Sequence, residues 1–307
     1  MWILITVLII LLLYIILIVG PSVVAYFSVF GRKTTTPLSE RKSLSYYEPF
    51  VGNISFSTDY LSKLDKQTLT IEGRDKTKLC ADLYDGSLDK TAICVHGYAS
   101  GPDYNFAVQG EFLHRQGFNI LLVNQRGHDR SGGKNICFGL KEQYDVLCWI
   151  DKVREITGNG NILLYGISMG GATVGYASDK VDKNVVKAMI IDCAFTSPYN
   201  QLKHDHILRH VPWRLMLPIE CLLIKTNLHI DIKTPVADSL RKTQIPAFFI
   251  HGENDTTVPP EQGRLNYDSC GSAKQFYLVK NGNHTVSFIA GGEKLQHEVK
   301  NFINKYF

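Results

Sequence analysis

Ser168 is the residue of this sequence best placed to do chemistry. It stands in Gly166-Ile167-Ser168-Met169-Gly170, between an apolar run that favours a strand and a small-residue segment that favours a helix. When a strand turns sharply into a helix, the turn residue adopts a strained backbone conformation, and flanking glycines let the two elements approach. The pattern therefore predicts a nucleophilic hydroxyl held clear at the carboxyl edge of a sheet.

A serine hydroxyl is a poor nucleophile at neutral pH, so it needs a base, and that base needs an acid to orient it. Open parallel sheets place such groups on the loops beyond the carboxyl ends of their strands. His284 follows the predicted strand 275–279 through a turn-rich loop, and Asp255 follows the predicted strand 246–250. We therefore expect a catalytic triad of Ser168, His284 and Asp255.

Two other carboxylates compete with Asp255 for the role of the acid. Glu253 is two residues away, and Asp192 ends the preceding predicted strand. Two further histidines, His96 and His251, also follow predicted strands, but each precedes a glycine turn. We expect these histidines to brace loops, and we keep both carboxylates as alternative acids.

The chemistry also needs hydrogen-bond donors for the negative charge that develops on the substrate oxygen. The amide of Met169 lies at a predicted helix N-terminus, where backbone N–H groups are free. In His96-Gly97-Tyr98, which follows another predicted strand, the glycine allows the Tyr98 amide to face Ser168. We expect Tyr98 and Met169 to form an oxyanion hole, and an ordinary strand-to-loop glycine is the alternative. No metal and no organic cofactor is required.

The elements that must position these residues alternate along the chain. Apolar strand-like runs are separated by helical patterns, after a hairpin in the region 67–85. Strands of this kind indicate a parallel sheet that is covered on both faces. The predicted strands are 68–71, 78–84, 91–95, 119–124, 161–165, 186–192, 246–250 and 275–279, and the predicted helices are 104–116, 142–156, 170–178 and 295–306.

The interval 197–244 breaks this alternation. It contains four prolines, no clear strand and an apolar stretch at 211–219. We interpret it as a helical cap inserted over the sheet edge. Trp213 and Met216 either face a substrate or pack onto the body, and the sequence leaves both possibilities open.

The first thirty residues have a composition of their own. Residues 2–19 carry no charge, and eighteen residues make a helix of about 27 Å, enough to span a hydrocarbon core before Gly20-Pro21 interrupts the pattern. We expect a transmembrane anchor over 1–30, a polar linker over 31–46 and the main domain over 47–307. A cleaved signal peptide is the alternative, although the segment lacks a basic start and is long.

Charge and cysteine content limit the kinds of partner and the cellular compartment that the sequence suggests. The 307 residues are 45% hydrophobic with a net charge of +4, and no basic stripe interleaved with aromatic residues suggests a nucleic-acid partner. Seven cysteines without a C-x-x-C pair disfavour a disulfide framework or a zinc site and favour a reducing compartment. The positive-inside rule also places the domain in the cytoplasm, because the nearest basic residues all follow the span. They are Arg32, Lys33, Arg41 and Lys42.

Four segments match, in order, the motifs of one known family. They are His96-Gly97-Tyr98, Gly166-Ile167-Ser168-Met169-Gly170-Gly171, His251-Gly252-Glu253-Asn254-Asp255-Thr256-Thr257-Val258-Pro259 and Gly282-Asn283-His284. On these segments the chain from about residue 47 to residue 307 resembles the α/β-hydrolase superfamily, especially membrane-anchored bacterial members of the serine aminopeptidase and lysophospholipase-like branch. The resemblance implies an α/β-hydrolase fold, with a mostly parallel central sheet, helices on both faces and a small helical cap, here preceded by one N-terminal transmembrane helix.

The resemblance implies a serine hydrolase, and the order Ser168, Asp255, His284 is the order of nucleophile, acid and base in that architecture. Hydrolysis of a carboxylic ester leads, because an acyl lipid or small ester suits a membrane anchor and an apolar cap. A peptidase or amidase and a thioesterase are alternatives on the same triad. A non-catalytic, membrane-tethered binding protein is the alternative from another class, and the complete triad argues against it.

One segment departs from the family pattern. Many relatives carry Asp-x-Arg-Gly-x-Gly-x-Ser after the fourth strand, where this chain has Asn124-Gln125-Arg126-Gly127-His128-Asp129-Arg130-Ser131. Asn124 and Asp129 thus replace an acid and a glycine. The triad is untouched, but we expect the local loop near the site to differ, which weakens any transfer of substrate preference.

Overall fold

The computed structural model describes residues 1–35, 45–86, 89–158 and 160–307, and it is built on one sheet of eight strands. The strands are β1 Lys66–Glu72, β2 Lys78–Tyr84, β3 Thr91–Val95, β4 Asn119–Asn124, β5 Ile162–Ile167, β6 Val186–Asp192, β7 Ala247–Gly252 and β8 Lys274–Val279. Their spatial order is β1-β2-β4-β3-β5-β6-β7-β8. The pairs β1/β2 and β2/β4 are antiparallel, and every later pair is parallel. The predicted hairpin and strands are confirmed, with ends that shift by at most two residues.

Helices pack on both faces of this sheet, as expected for parallel strands that are buried on both sides. The α-helices among the described residues are α1 Trp2–Tyr14, α2 Gly20–Phe30, α3 Val51–Ser62, α4 Pro102–Asn105, α5 Ala107–Arg115, α6 Glu142–Thr157, α7 Met169–Ala177, α8 Pro198–Leu208, α9 Trp213–Leu228, α10 Ala237–Leu240, α11 Pro260–Ser269, α12 Ser287–Ala290 and α13 Gly292–Tyr306. A short 3-10 helix, Ser45–Phe50, precedes α3.

Alternate residues of the central strands enter two separate cores. On β3, Ile93 and Val95 contribute to a core that also contains residues of α6, α7 and α9. Ala92 and Cys94, their neighbours on the same strand, contribute to a second core with residues of α3, α5 and α13. This two-layer burial holds the carboxyl ends of the parallel strands rigidly, and the predicted site residues follow those ends.

The N-terminal helix is longer than its proline suggested. It runs from Trp2 to Phe30, and by length and composition it could cross a membrane. Gly20-Pro21 does not interrupt it, because a π-helical turn at Ile15–Val19 absorbs the proline. Pro21 has no N–H to donate to an earlier carbonyl, and the preceding N–H of Gly20 bonds to the carbonyl of Ile15 in the wider turn.

The two ends of this helix have different surroundings. Residues of α1 are exposed along its whole length, whereas Tyr26 and Phe30 of α2 are buried, only 5% and 1% exposed. Both side chains join the first core, and α2 contacts the cap helix α9. The second half of the helix is thus part of the body of the protein, whereas the first half leaves it.

Residues 31–35, which we call the docked segment, lie on the loop after β4. The guanidinium of Arg32 donates to the carbonyls of Ser131 and Gly133 at 2.7 and 3.1 Å. Thr35 donates from its backbone N–H and its hydroxyl to the carboxylate of Asp129. Two isolated bridges, Gly31 with Asn135 and Lys33 with His128, complete the contact. Asp129, which departs from the family pattern, therefore has a structural partner. Of the rest of the predicted linker, residues 36–44 lie outside the described residues, and residues 45–46 begin the 3-10 helix.

Candidate active site

Ser168 lies between the end of β5 and the start of α7, with φ at 56° and ψ at −117°. This positive φ is the strained conformation that the sharp turn requires. A side chain on Gly166 would lie 2.2 Å from the carbonyl oxygen of Gly170, and one on Gly170 would lie 1.8 Å from the carbonyl oxygen of Val95. Only glycine fits at either position, and the two close approaches hold the serine at the sheet edge.

The structure brings Ser168, His284 and Asp255 together in one hydrogen-bonded chain. Nε2 of His284 is 2.9 Å from Oγ of Ser168, and Nδ1 of the same ring is 2.7 Å from Oδ2 of Asp255. With the proton on Nδ1, the imidazole donates to Asp255 and presents a lone pair to the serine hydroxyl. The arrangement can therefore take up the proton of Ser168 while the carboxylate stabilises the resulting imidazolium.

Asp255 is held ionised by its surroundings. Its Oδ1 accepts hydrogen bonds from the backbone N–H groups of Thr257 and Val258 at 3.0 and 2.8 Å. Burial alone would raise the pKa of the Asp255 carboxyl, but the neighbouring His284 and His251 lower this pKa well below its usual range. The carboxylate is thus charged at any pH at which the imidazole works as a base.

Neither of the two alternative acids is hydrogen-bonded to the imidazole of His284. Glu253 is exposed, and its carboxylate accepts the N–H of Asn281 at 3.2 Å. Asp192 is fully buried, and no N–H or O–H group of the described residues donates to either of its carboxylate oxygens. Of the three carboxylates considered, the structure places Asp255 alone on the imidazole of His284.

The isolation of Asp192 predicts a pH-dependent stability. Burial and, to a smaller extent, Asp255 raise the pKa of Asp192 to about 7, against the opposing effect of His251. A raised folded-state pKa means that protonation of Asp192 contributes stability that is fully present below about pH 4, the pKa of an unfolded aspartate, and is lost as the pH rises through about 7. We expect Asp192→Asn to gain free energy of unfolding relative to the wild type as the pH is raised from about 5 to about 8.

Thermal unfolding of both proteins over this pH range measures the effect. A Glu253→Gln variant, which removes an exposed carboxylate, is the control and should follow the wild type. A constant difference between Asp192→Asn and the wild type across the range would contradict the assignment.

The two predicted oxyanion donors line the same cavity as the serine. A Cβ atom added to Gly97 would lie 3.4 Å from Cβ of Ser168, so the backbone of this loop passes directly beside the nucleophile. The N–H groups of Tyr98 and Met169 have no acceptor among the described residues. Two free donors beside a nucleophile are what a developing oxyanion needs.

The two bracing histidines hold the loops around the site. His96 accepts the N–H of Gln125 on Nε2 at 3.1 Å, which joins the loop after β3 to the loop after β4. Nε2 of His251 lies 2.8 Å from the carbonyl oxygen of Val258, in the loop that carries Asp255. Both rings are fully buried, as expected for residues that brace loops.

Ser168 and His284 open into a cavity of about 370 Å³. The cap contributes Gln201, Asp205 and Arg209 from α8 and the turn after it. The apolar stretch 211–219 does not line the cavity: Met216 is buried, and Trp213 packs against the first core. The cap thus reaches the site through α8, and the alternative in which Trp213 and Met216 pack onto the body is the one that the structure shows.

One wall of this cavity was not predicted from the sequence. Ser28, Val29 and Lys33, from the end of the N-terminal helix and the docked segment, line the cavity that Ser168 opens into. No local pattern pointed to them, because they lie about 140 positions before the serine and read as the end of a membrane anchor. The unusual Asp129 was the single signal in the sequence that this region differs from its relatives.

Metal-type ligands also meet near the triad. In the part of the chain that the structure describes, one group of three such side chains has ligand atoms within 4.8 Å of one another, and it consists of Cys193, Asp255 and His284. Two of these three are the members of the hydrogen-bonded chain to Ser168. An ion at this position would compete with that chain.

Comparison with known proteins agrees with this architecture. The family model of the alpha/beta hydrolase fold matches residues 91–218. Protein bem46 of Schizosaccharomyces pombe is 27% identical over 261 residues, 82% of this chain and 82% of that protein. The membrane protein YNL320W of Saccharomyces cerevisiae is 24% identical over 235 residues, 74% of this chain and 76% of that protein.

A solved structure carries the same fold. The Pyrococcus furiosus esterase Pf2001 superposes with a TM-score of 0.67 at 22% identity, over 81% of this chain and 93% of that one. The predicted fold, a mostly parallel sheet with helices on both faces and one apolar N-terminal helix, is confirmed. The matched family model, the relatives and the solved structure agree that this chain has the α/β-hydrolase fold.

Proposed function

We propose that this chain is a membrane-anchored serine hydrolase that cleaves carboxylic esters. The observation that carries the proposal is the chain of hydrogen bonds from Asp255 through His284 to Ser168, at the floor of a cavity. An activated serine of this kind attacks acyl groups, and no further group is needed to complete the reaction.

The reaction follows from the geometry in two halves. His284 takes the proton of Ser168 as its oxygen attacks the ester carbonyl, and the N–H groups of Tyr98 and Met169 hold the oxyanion. Collapse of the tetrahedral intermediate expels the alcohol, which receives the proton from His284. Water then attacks the acyl-enzyme with His284 again as the base, and Ser168 is regenerated when the acid leaves.

The setting favours an ester that is partly apolar. The N-terminal helix could cross a membrane, and the relative YNL320W is a membrane protein. The cavity combines apolar walls, among them Val29 and Phe138, with polar groups from α8. We propose a small or acyl-lipid ester as the substrate and, because the basic residues follow the span, a cytoplasmic domain.

Labelling with a fluorescent fluorophosphonate tests the proposal on the full-length protein in detergent micelles. We expect strong labelling of the wild type, which reports an activated serine without knowledge of the substrate, and loss of labelling in His284→Ala. His297→Ala, on the surface helix α13, is the matched control and should label like the wild type.

The outcomes separate the possible functions. A folded wild type that neither labels nor hydrolyses esters would favour a binding protein on this fold and contradict the proposal. Esters, thioesters and amides of one acyl group then rank the leaving groups, and we expect the ester to be cleaved faster than the amide.

A further inference from the structure

The anchor helix does not end before the catalytic cavity but forms part of it. We propose that the last turn of this helix, through Val29, determines which esters the site accepts, an inference that rests on the proposed function. Val29 would contact the longer chain of the ester and limit its length. The anchor is then a specificity element of the site as well as its attachment.

Val29 lies where a side chain of α2 can face both the body of the protein and the cavity. Along α2 the side chains of Ser22, Tyr26 and Phe30 are buried against the body, and Val29 lies on the edge of this face, half-buried and packed against the first core. Val29 lines the cavity together with Ser168 and His284. An apolar side chain at this place offers a surface to a substrate chain.

The loop that carries Tyr98, whose amide is a proposed oxyanion donor, is hydrogen-bonded to the helix turn that carries Val29. The hydroxyl of Tyr98 donates to the carbonyl oxygen of Val29 at 2.9 Å. Phe138 stacks on the ring of Tyr98 with centroids 5.3 Å apart, and both residues line the cavity. The residue whose amide we propose to hold the oxyanion thus keeps the helix end at a defined distance from the reacting carbonyl.

Hydrogen bonds of the docked segment restrict movement of the turn that carries Val29. The docked segment directly after it is held by Arg32, which donates to backbone carbonyls of the loop after β4, and by Thr35, which donates to Asp129. Asp129 is one of the two residues that depart from the family pattern. Its substitution for glycine gives the docked segment an acceptor, so the wall at Val29 is a built feature of this chain.

The test uses two valines of one helix in the full-length protein. Val29→Trp adds bulk at the cavity wall. Val24→Trp adds the same bulk on the opposite side of the helix, where the side chain of Val24 is 67% exposed. Hydrolysis is measured on 4-nitrophenyl esters with acyl chains from acetate to dodecanoate, and on acetate esters of alcohols of increasing length. We expect Val29→Trp to lower kcat/KM for the longest esters of one series at least tenfold relative to the shortest, since a misfit of one methylene in an apolar pocket costs about 10–200-fold.

Two further measurements decide the outcome. Val29→Ala should shift the preference in the opposite direction, toward longer chains, which keeps the proposal testable if the tryptophan variant does not fold. Labelling by a short-chain fluorophosphonate should persist in all variants, because the triad is intact, and its rate should be unchanged in the control Val24→Trp. Turnover with the same chain-length profile in wild type, Val29→Trp and Val29→Ala would overturn this inference alone, whereas a wild type without labelling or turnover would overturn the proposed function and this inference with it.

Discussion

Replacing Ser168 by alanine is expected to lower kcat for ester hydrolysis by about 10⁴-fold or more, because no acyl-enzyme can form without the nucleophile. Some rate over the uncatalysed reaction should persist, since the oxyanion donors and the cavity remain. Ester hydrolysis by the full-length protein in micelles measures the loss, and labelling by the fluorophosphonate should disappear.

Ser178→Ala is the matched control for this prediction. Ser178 is equally buried and ends the same helix, where its hydroxyl donates to the carbonyl of Gly175 at 2.7 Å. It should retain the activity of the wild type. Activity of a folded Ser168→Ala variant within tenfold of the wild type would show that another residue carries the acyl group.

Asp255→Asn is expected to lower kcat by about 10³- to 10⁴-fold without unfolding the protein. An amide has nearly the same shape, and its oxygen can still accept from the backbone N–H groups of Thr257 and Val258. Its NH₂ group cannot accept the Nδ1 proton of His284, however. The imidazole then carries its proton on the nitrogen that faces Ser168 and can no longer take up the proton of the hydroxyl.

Glu253→Gln distinguishes Asp255 from its nearest competitor. Because Glu253 is exposed and contacts the N–H of Asn281, its substitution should leave kcat within about twofold of the wild type. Thermal unfolding of both variants verifies that the loop is intact. A large loss in Glu253→Gln with a small loss in Asp255→Asn would exchange the roles of the two carboxylates.

The elements that were predictable are those with local signals. The parallel strands read as continuous apolar runs, and the turn at Ser168 carries its two glycines in the sequence because the backbone approaches at Gly166 and Gly170 leave no room for a side chain. Strand ends then place His284 and Asp255 on one edge of the sheet without knowledge of distances. The positions of these residues after strand ends, together with the parallel sheet topology, were thus enough to predict that they lie close together.

The features that were not predictable depend on contacts between distant segments. The choice of Asp255 over Asp192 depends on side-chain contacts, since Asp192 ends β6 and Asp255 follows the neighbouring strand β7. The wall at Val29 joins residues that are far apart in the chain, and its apolar surroundings in the sequence conceal it. Pro21 was expected to interrupt the helix, because the π-helical turn that accommodates it has no signature in composition.

The direct passage from the apolar helix to the docked segment also sets the geometry of the whole protein at a membrane. The helix runs unbroken from Trp2 to Phe30, and the residues after it bridge at once to the loop after β4. At 1.5 Å per residue, Val29 lies about 15 Å along the helix beyond Val19. In a bilayer the catalytic serine would therefore lie at one distance from the membrane and in one orientation, whereas the same domain on a flexible linker would sample a broad range of both.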